Sequence, residues 1–401
     1  MPKTQRIVTS KNHLNGHRSG RRSLTAIDLF SGAGGLSEGF RQAGFHILAA
    51  NDADSDAAMT FRVAHPETRF IDGPIEDVTT PHLLAAAGIR KGELDVLIGG
   101  PPCQAFSVYN HQRGFHDERS GLFREYLRIV KGLMPKMVVM ENVTGITSLG
   151  DGQAVNEIHR RLGKLGFHVE NAILKAEEYG IPQQRRRIFF IASRDTGRIA
   201  WPEPSYGPEG DLFFRPFVTV KEAISDLPAL NICEGTDESR YTRAAQYEYQ
   251  RLMRHGAHRL FNHVAPALAE INLKRLAYIK PGGSWRDIPV RLLPAGMKRA
   301  RRSDHTKRYG RLHPDGLAST ILTKCDLHWG AYIHPSQERT LTVREAARFQ
   351  SFPDRFRFYG ARFEQFRQVG NAVPPLLAQA VALKVREMLV GKENLAFAVA
   401  V

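Results

Sequence analysis

Short apolar runs alternate with amphipathic stretches through the first half of the chain. Leu24–Phe30, Phe45–Ala50, Leu94–Ile98, Met137–Met140, Val169–Leu174 and Ile188–Ala192 are short, apolar and bounded by turn residues, the pattern of buried strands. Between them, apolar positions recur at helical spacing. The spacing predicts one helix ending near Ala43 and others over Phe123–Leu133 and Gln153–Leu165. Strands that alternate with helices predict an α/β fold, a doubly wound sheet. From Trp201 the texture changes. A Pro-rich boundary, Trp201–Pro208, opens a region to residue 338 of short, weakly periodic segments and frequent turns, which predicts a second, smaller domain. An amphipathic helix over Thr342–Gln350 and an apolar helix ending at Val390 close the pattern. The last helix needs a partner surface, and the first domain's sheet is the nearest candidate. The division expected is a basic, disordered tail (1–23), a catalytic domain (24–200), a second domain (201–338), a hinge with a connecting helix (339–366) and a returning helix (367–395).

The turns after the predicted strands carry the chemistry. Gly99-Gly-Pro-Pro-Cys-Gln-Ala-Phe-Ser107 follows the strand Leu94–Ile98 directly. Two prolines lack the N–H that either a strand or a helix would use, so the chain must turn with Cys103 exposed. The carboxyl end of a sheet strand is where open α/β folds place ligands, and a thiol there reads as a nucleophile. The plainer alternative is a buried structural cysteine. Ser31-Gly-Ala-Gly-Gly-Leu-Ser-Glu-Gly39 follows the first strand and leads into a helix, so its backbone N–H groups can face a ligand. Its spacing matches neither the dinucleotide fingerprint nor a P-loop. Asp52, ending the second strand, suits a pair of ribose hydroxyls, although Asp also caps helices often. Asp77 could accept from an adenine amino group. Together these steps predict an adenosine-type cofactor. Glu141, at the end of a buried strand beside the cysteine strand, is a candidate general acid with a raised pKa. Arg185, Arg186 and Arg187 are costly to bury without anions. The polar, Gly-containing stretch 108–123 is long enough to be a lid.

Charge adds a partner. The 401-residue chain carries a net charge of +15, which points to a polyanion, most simply nucleic acid. The excess is uneven: residues 291–311 hold eight Lys or Arg against one acid, Asp304. Arg299, Arg301, Arg302, Lys307, Arg308 and Arg311 are therefore the candidate DNA contacts. The three cysteines, Cys103, Cys233 and Cys325, have no metal-ligand or disulfide spacing, so no metal site and a reducing, cytoplasmic setting are expected. No apolar run is long enough to cross a membrane.

Six motifs in order resemble the cytosine-C5 DNA methyltransferases, over nearly the whole chain from Leu24 to Val390. They are Asp28–Gly35, Gly100–Ser107, Glu141–Val143, Gln183–Arg187, Arg344–Gln350 and Gly370–Pro374. The resemblance implies a Rossmann-like, S-adenosyl-L-methionine-dependent catalytic domain and a target-recognition domain. It implies that Cys103 adds to C6 of a cytosine flipped out of double-stranded DNA. Glu141 would act at N3, Arg187 would hold O2, Arg185 would support the site, and the Pro101 carbonyl would accept from the N4 amino group. For the cofactor it implies Phe30 on the adenine, Gly32 and Gly35 near the methionine end, and Asp52 on the ribose. Asp77 and Val78 would read the adenine edge, with Pro102, Leu122 and Asn371 in the wall. One departure stands out: where the family often has a large aromatic after the ribose-binding acid, Ala53 follows Asp52. A tRNA-methylating branch carries a late Cys-Phe-Thr signature; here the stretch reads Thr323-Lys-Cys-Asp-Leu-His328, which favours DNA. An idle DNA-binding protein is disfavoured because Cys103, Glu141 and Arg187 are all present. A monomer is expected, with a cognate restriction endonuclease or defence-system proteins as partners that need not touch it.

Overall fold

The computed structural model describes residues 23–102, 121–195 and 197–391. Cys103 and the stretch 108–120 of the expected lid lie outside the described residues. Among those described, seven strands form one sheet: β1 (Leu24–Leu29), β2 (Phe45–Asp52), β3 (Arg69–Asp72), β4 (Val96–Gly99), β5 (Met137–Val143), β6 (His168–Lys175) and β7 (Arg186–Ser193). Their order is β3-β2-β1-β4-β5-β7-β6. The first five run parallel, and β7 pairs antiparallel with both β5 and β6. Chain order departs in opposite directions from β1 and from β4, so a topological switch point lies between them, where such folds open a crevice at the strands' carboxyl ends.

Five helices flank this sheet: α1 (Gly35–Gln42), α2 (Ser55–Ala64), α3 (Thr80–Ala87), α4 (Leu122–Leu133) and α5 (Gln153–Lys164). The central parallel strands β1, β4 and β5 are buried on both faces. Ile27, Leu97, Val138 and Phe190 pack with α4 and α5, while Ala26, Ile98, Val139 and Phe189 pack with α1. A strand covered on both faces has no polar alternation, which explains why these segments read as continuous apolar runs.

Beyond the sheet come α6 (Val220–Ile224), α7 (Glu248–Arg254) and α8 (Glu270–Leu276), with short strand pairs of which Gly235–Ser239 and Leu260–Val264 is the longer. Three helices follow: α9 (Val343–Phe349), α10 (Arg362–Asn371) and α11 (Pro375–Val390). One apolar cluster joins α6, α7, Leu312, Ile321 and Tyr332 to α9 and α10, so residues 341–369 share a core with the second region instead of merely connecting it. The amphipathic reading of α9 needs correcting: all seven of its residues are buried. Its polar face is satisfied internally. Arg348 bonds Asp226 and Asp354, and Glu345 bonds Arg339. The C-terminal helix α11 lies on α1, where an added Cβ at Gly39 would stand 2.4 Å from the Ala378 side chain. Glycine is what allows that approach.

Candidate active site

The turns that follow β1, β2, β4 and β5 meet around one cleft of about 1190 Å³ at the switch point. The Gly-rich turn begins with Phe30 in the left-handed region, at φ 57°. A non-glycine residue held there is strained, as often occurs where a side chain must face a ligand. Phe30, Gly32 and Gly35 all line the cleft. Gly32 (φ 51°) has open space where a Cβ would project, whereas a Cβ at Gly35 would meet the Val373 carbonyl at 2.4 Å. The first glycine thus leaves room in the cleft, and the second lets α1 start against the chain leading to α11.

Asp52 sits across this turn. Its Oδ2 accepts from the Gly32 N–H at 2.7 Å and its Oδ1 from the Asp54 N–H at 2.9 Å. Helix capping falls to the neighbour, because Asp54 accepts from the N–H groups of Asp56 and Ala57. Asp52 is therefore held on the cleft wall by the backbone, and burial raises its pKa. Asp28 lies in the same wall. Its Oδ2 accepts from Ser37 at 2.6 Å, and its Oδ1 has no hydrogen-bond partner among the described residues. Burial pushes its pKa up to about 7.

Glu141 enters from β5. It is buried, and Arg187 of β7 approaches it with Nε 2.9 Å from Oε1. The antiparallel register sets this pair: Val143 stands opposite Arg187, two residues along from Glu141 on the same face. The Gly100 turn closes over the acid, and a Cβ there would lie 3.1 Å from Oε2. Burial outweighs the guanidiniums of Arg187 and Arg185 and raises the Glu141 pKa, the direction a proton-donating carboxyl requires. The Pro101 carbonyl already accepts from Asn142 Nδ2 at 3.1 Å, leaving one lone pair for a ligand. Pro102, Leu122 and Asn371 complete the wall.

Other expected residues lie elsewhere. Asp77 and Val78 are not in the wall; Pro74, Ile75 and Glu76 take that edge. Val78 is in the core, and its carbonyl accepts from Arg128. Arg185 is buried outside the cleft and donates to the carbonyls of Ile321, Gly370 and Ala372. It ties the second region and the Asn371 turn to the sheet. Arg299, Arg301, Arg302 and Lys307 are exposed, and Arg308 is half-buried. Arg311 corrects the basic-stretch expectation. It is buried, donating to the carbonyls of Leu276, Ile279, His334 and Gln337 and to Glu338. A guanidinium so engaged has nothing left for a phosphate. Charge counting cannot distinguish such an arginine from its exposed neighbours.

The sequence reading missed part of the cleft. Ile321–Lys324 and Trp329 line it from the second region, and Glu364 and Arg367 of α10 from the far side. Gln183 holds this assembly, its side chain bonding Phe349 O, Gln350 and the Ile321 N–H. Gln183 opens the Gln183–Arg187 motif, but nothing in the sequence indicates what it touches.

A switch-point cleft that joins an acid at a Gly-rich turn to a buried acid–guanidinium pair defines a Rossmann-like α/β enzyme. The family model "C-5 cytosine-specific DNA methylase" matches residues 24–387. The type II methyltransferase M.AgeI of Thalassovita gelatinovora is 36% identical, with 90% of this chain and 98% of that protein covered. M1.HphI of Haemophilus parahaemolyticus is 38% identical, over 91% of this chain and 87% of its own. Among solved structures, a DNA modification methyltransferase encoded within an Escherichia coli prophage superposes with a TM-score of 0.72. It is 25% identical, and the match covers 92% of this chain and 99% of that one. The chain belongs to the C-5 cytosine-specific DNA methylase family. It is a DNA (cytosine-5-)-methyltransferase. Among the described residues no helix is long and apolar enough to cross a membrane.

Proposed function

We propose that this enzyme methylates C5 of a cytosine flipped out of double-stranded DNA within one short sequence, as the modification half of a restriction–modification or related defence system. The carrying observation is the Glu141–Arg187 pair, buried at the mouth of the Gly100–Pro102 turn in the same cleft as Asp52. C5 of cytosine is a poor nucleophile until something adds at C6. The Cys103 thiolate, one residue past Pro102, forms that bond, and the electron pair moves toward C5 and N3. Glu141 donates its proton to N3 as negative charge develops there, and Arg187 holds both O2 and the Glu141 carboxylate. Once C5 carries its new substituent, loss of the C5 proton to a base expels the Cys103 thiolate, and the N3 proton returns to the Glu141 carboxylate, which restores the ring. The target must leave the helix, because its C6 face is stacked in a duplex.

The residues present fit S-adenosyl-L-methionine. Asp52 offers carboxylate lone pairs toward the ribose hydroxyls, and Phe30 offers a ring face. The unpartnered Asp28 Oδ1 and the open space at Gly32 lie in the same wall. When bound, this group supplies the methyl. The exposed Arg299, Arg301, Arg302 and Lys307 and the half-buried Arg308 carry DNA phosphates on this reading.

Bisulfite sequencing of plasmid DNA from cells expressing the protein tests the reading. One short context protected by the wild type, and unprotected with Cys103→Ala, is expected. Glu141→Gln should lower the methylation rate by roughly 100-fold or more, the scale of a general acid. Protection that survives Cys103→Ala would sink the nucleophile.

A further inference from the structure

We propose that Trp329 stacks on the DNA base pairs at the gap left by the departing cytosine and so holds the target in its flipped-out state. The proposal rests on the reading that this cleft takes a flipped cytosine.

The chain has three tryptophans. Trp285 is buried, its indole N–H donating to the His305 carbonyl, and Trp201 is half-buried beside Glu170. Trp329 is 42% exposed and lines the reaction cleft. A large aromatic this exposed in a cleft wall contributes less to folding than a buried one, and its indole N–H has no hydrogen-bond partner among the described residues.

Its surroundings are built to present it. Trp329 ends a tight turn in which its N–H donates to the Asp326 carbonyl, and Asp326 Oδ1 accepts from the His328 N–H. The next residue must be small, since a Cβ at Gly330 would lie 2.7 Å from the Tyr332 ring. His328 packs edge-on against Tyr309, which is itself buried. The backbone under the indole is thus anchored to the second region's core.

Two cations flank the ring. Lys324 Nζ is 5.6 Å and Arg308 Cζ 5.9 Å from its centroid. Both lie within reach of the ring's quadrupole. An aromatic ring within reach of two cations can combine base stacking with phosphate neutralisation. Trp329 lines the same cleft as Phe30, Asp52 and Asp28 and stands beside Arg308 of the basic stretch. A nucleic-acid base is therefore the ligand class that suits it.

The test uses the full chain and a duplex oligonucleotide carrying the sequence that the wild type methylates. The target cytosine is paired with guanine in one duplex and mismatched with adenine in a second. On the paired duplex Trp329→Ala should lose roughly 10- to 100-fold in kcat/KM, the effect of removing one aromatic–base stack. Trp329→Phe should recover most of that loss. On the mismatched duplex, where the base leaves the helix at lower cost, Trp329→Ala should approach the wild type. Thermal midpoint and S-adenosylmethionine affinity should not move. An equal loss on both duplexes, or no loss on either, overturns the proposal while leaving the cytosine reading intact. Absence of methyl transfer by the wild type on any duplex overturns that reading and this proposal with it.

Discussion

Three carboxyls of the cleft have been given different tasks by their surroundings. Asp52 has both oxygens directed by backbone N–H groups, Glu141 faces a guanidinium, and Asp28 has one hydroxyl partner and an unpartnered oxygen. Asp28 consequently titrates near pH 7. Its pKa lies above the unfolded value of 3.8, so the native state binds the proton more tightly than the unfolded chain. The stability this contributes is full below about pH 4 and is lost as pH rises through 7. Asp28→Asn mimics the protonated acid and should remove that slope. The variant should gain about 2.5 kcal/mol relative to wild type between pH 5 and pH 8, by urea unfolding at each pH. Parallel pH dependences in the two proteins would show that Asp28 is not the group responsible. Glu141 departs from its ordinary pKa in the same direction, but its proton is used in the reaction. Raising the pH should therefore depress kcat in the wild type, and Glu141→Gln should lose the Glu141-dependent part of that fall in a stopped-assay pH series.

At the scale of elements, the buried arginines organise what the apolar clusters alone would leave loose. Arg348 on α9 bonds Asp226, Asp354 and the Ala223 carbonyl, joining α9 to the end of α6 and to the turn before α10. Every donor is used inside the protein, so the ion set has no solvent to replace a lost partner. Arg348→Met should cost about 3–5 kcal/mol, because it takes the shared guanidinium from two buried carboxylates, leaving Asp226 with Arg254 and Asp354 with Arg344 and the Tyr241 hydroxyl. Arg348→Met with Asp226→Asn and Asp354→Asn should recover part of that loss in chemical denaturation. Arg185 does comparable work between β7 and the Asn371 turn, binding three carbonyls from two segments. Two arginines two residues apart on the chain thus divide: Arg187 reaches the cleft and Arg185 fixes the frame around it.

At the scale of the whole molecule, the positive charge is not one surface. Arg299, Arg301 and Arg302 point outward, while Arg311, Arg339, Arg344 and Arg348 are buried. Neutralising the first three should weaken duplex binding and lower the slope of log K against log salt by about 0.9 for each phosphate that is no longer neutralised. Fluorescence anisotropy across a salt series reads that slope, and an unchanged value removes the stretch from the interface. Arg311→Ala should act differently. It should destabilise the fold by about 3 kcal/mol or more, with the salt slope of the remaining folded protein unaltered.

The local pattern by itself determined six of the seven described strands of the sheet, the alternation with helices and the switch-point turns, because a strand buried on both faces must be apolar throughout and a turn there must carry glycine or proline; β3, with one buried residue, carries no such run. It also determined the family, since six short motifs in order are a far more specific signal than any one of them. Only the tertiary structure decided which charged side chains face solvent. Burial of Arg185 and Arg311 depends on carbonyls from segments far along the chain, 136 residues away for Arg185 and Ile321. Only it placed Trp329 in the cleft wall with Lys324 and Arg308 close to its ring. It likewise put Ile75 and Glu76, instead of Asp77 and Val78, on the cleft wall, because a single helical turn after β3 rotates successive side chains by about a third of a circle. Periodicity is a property of neighbours in sequence, and a site is a property of neighbours in space; the two coincide here at the ends of the strands and diverge beyond them.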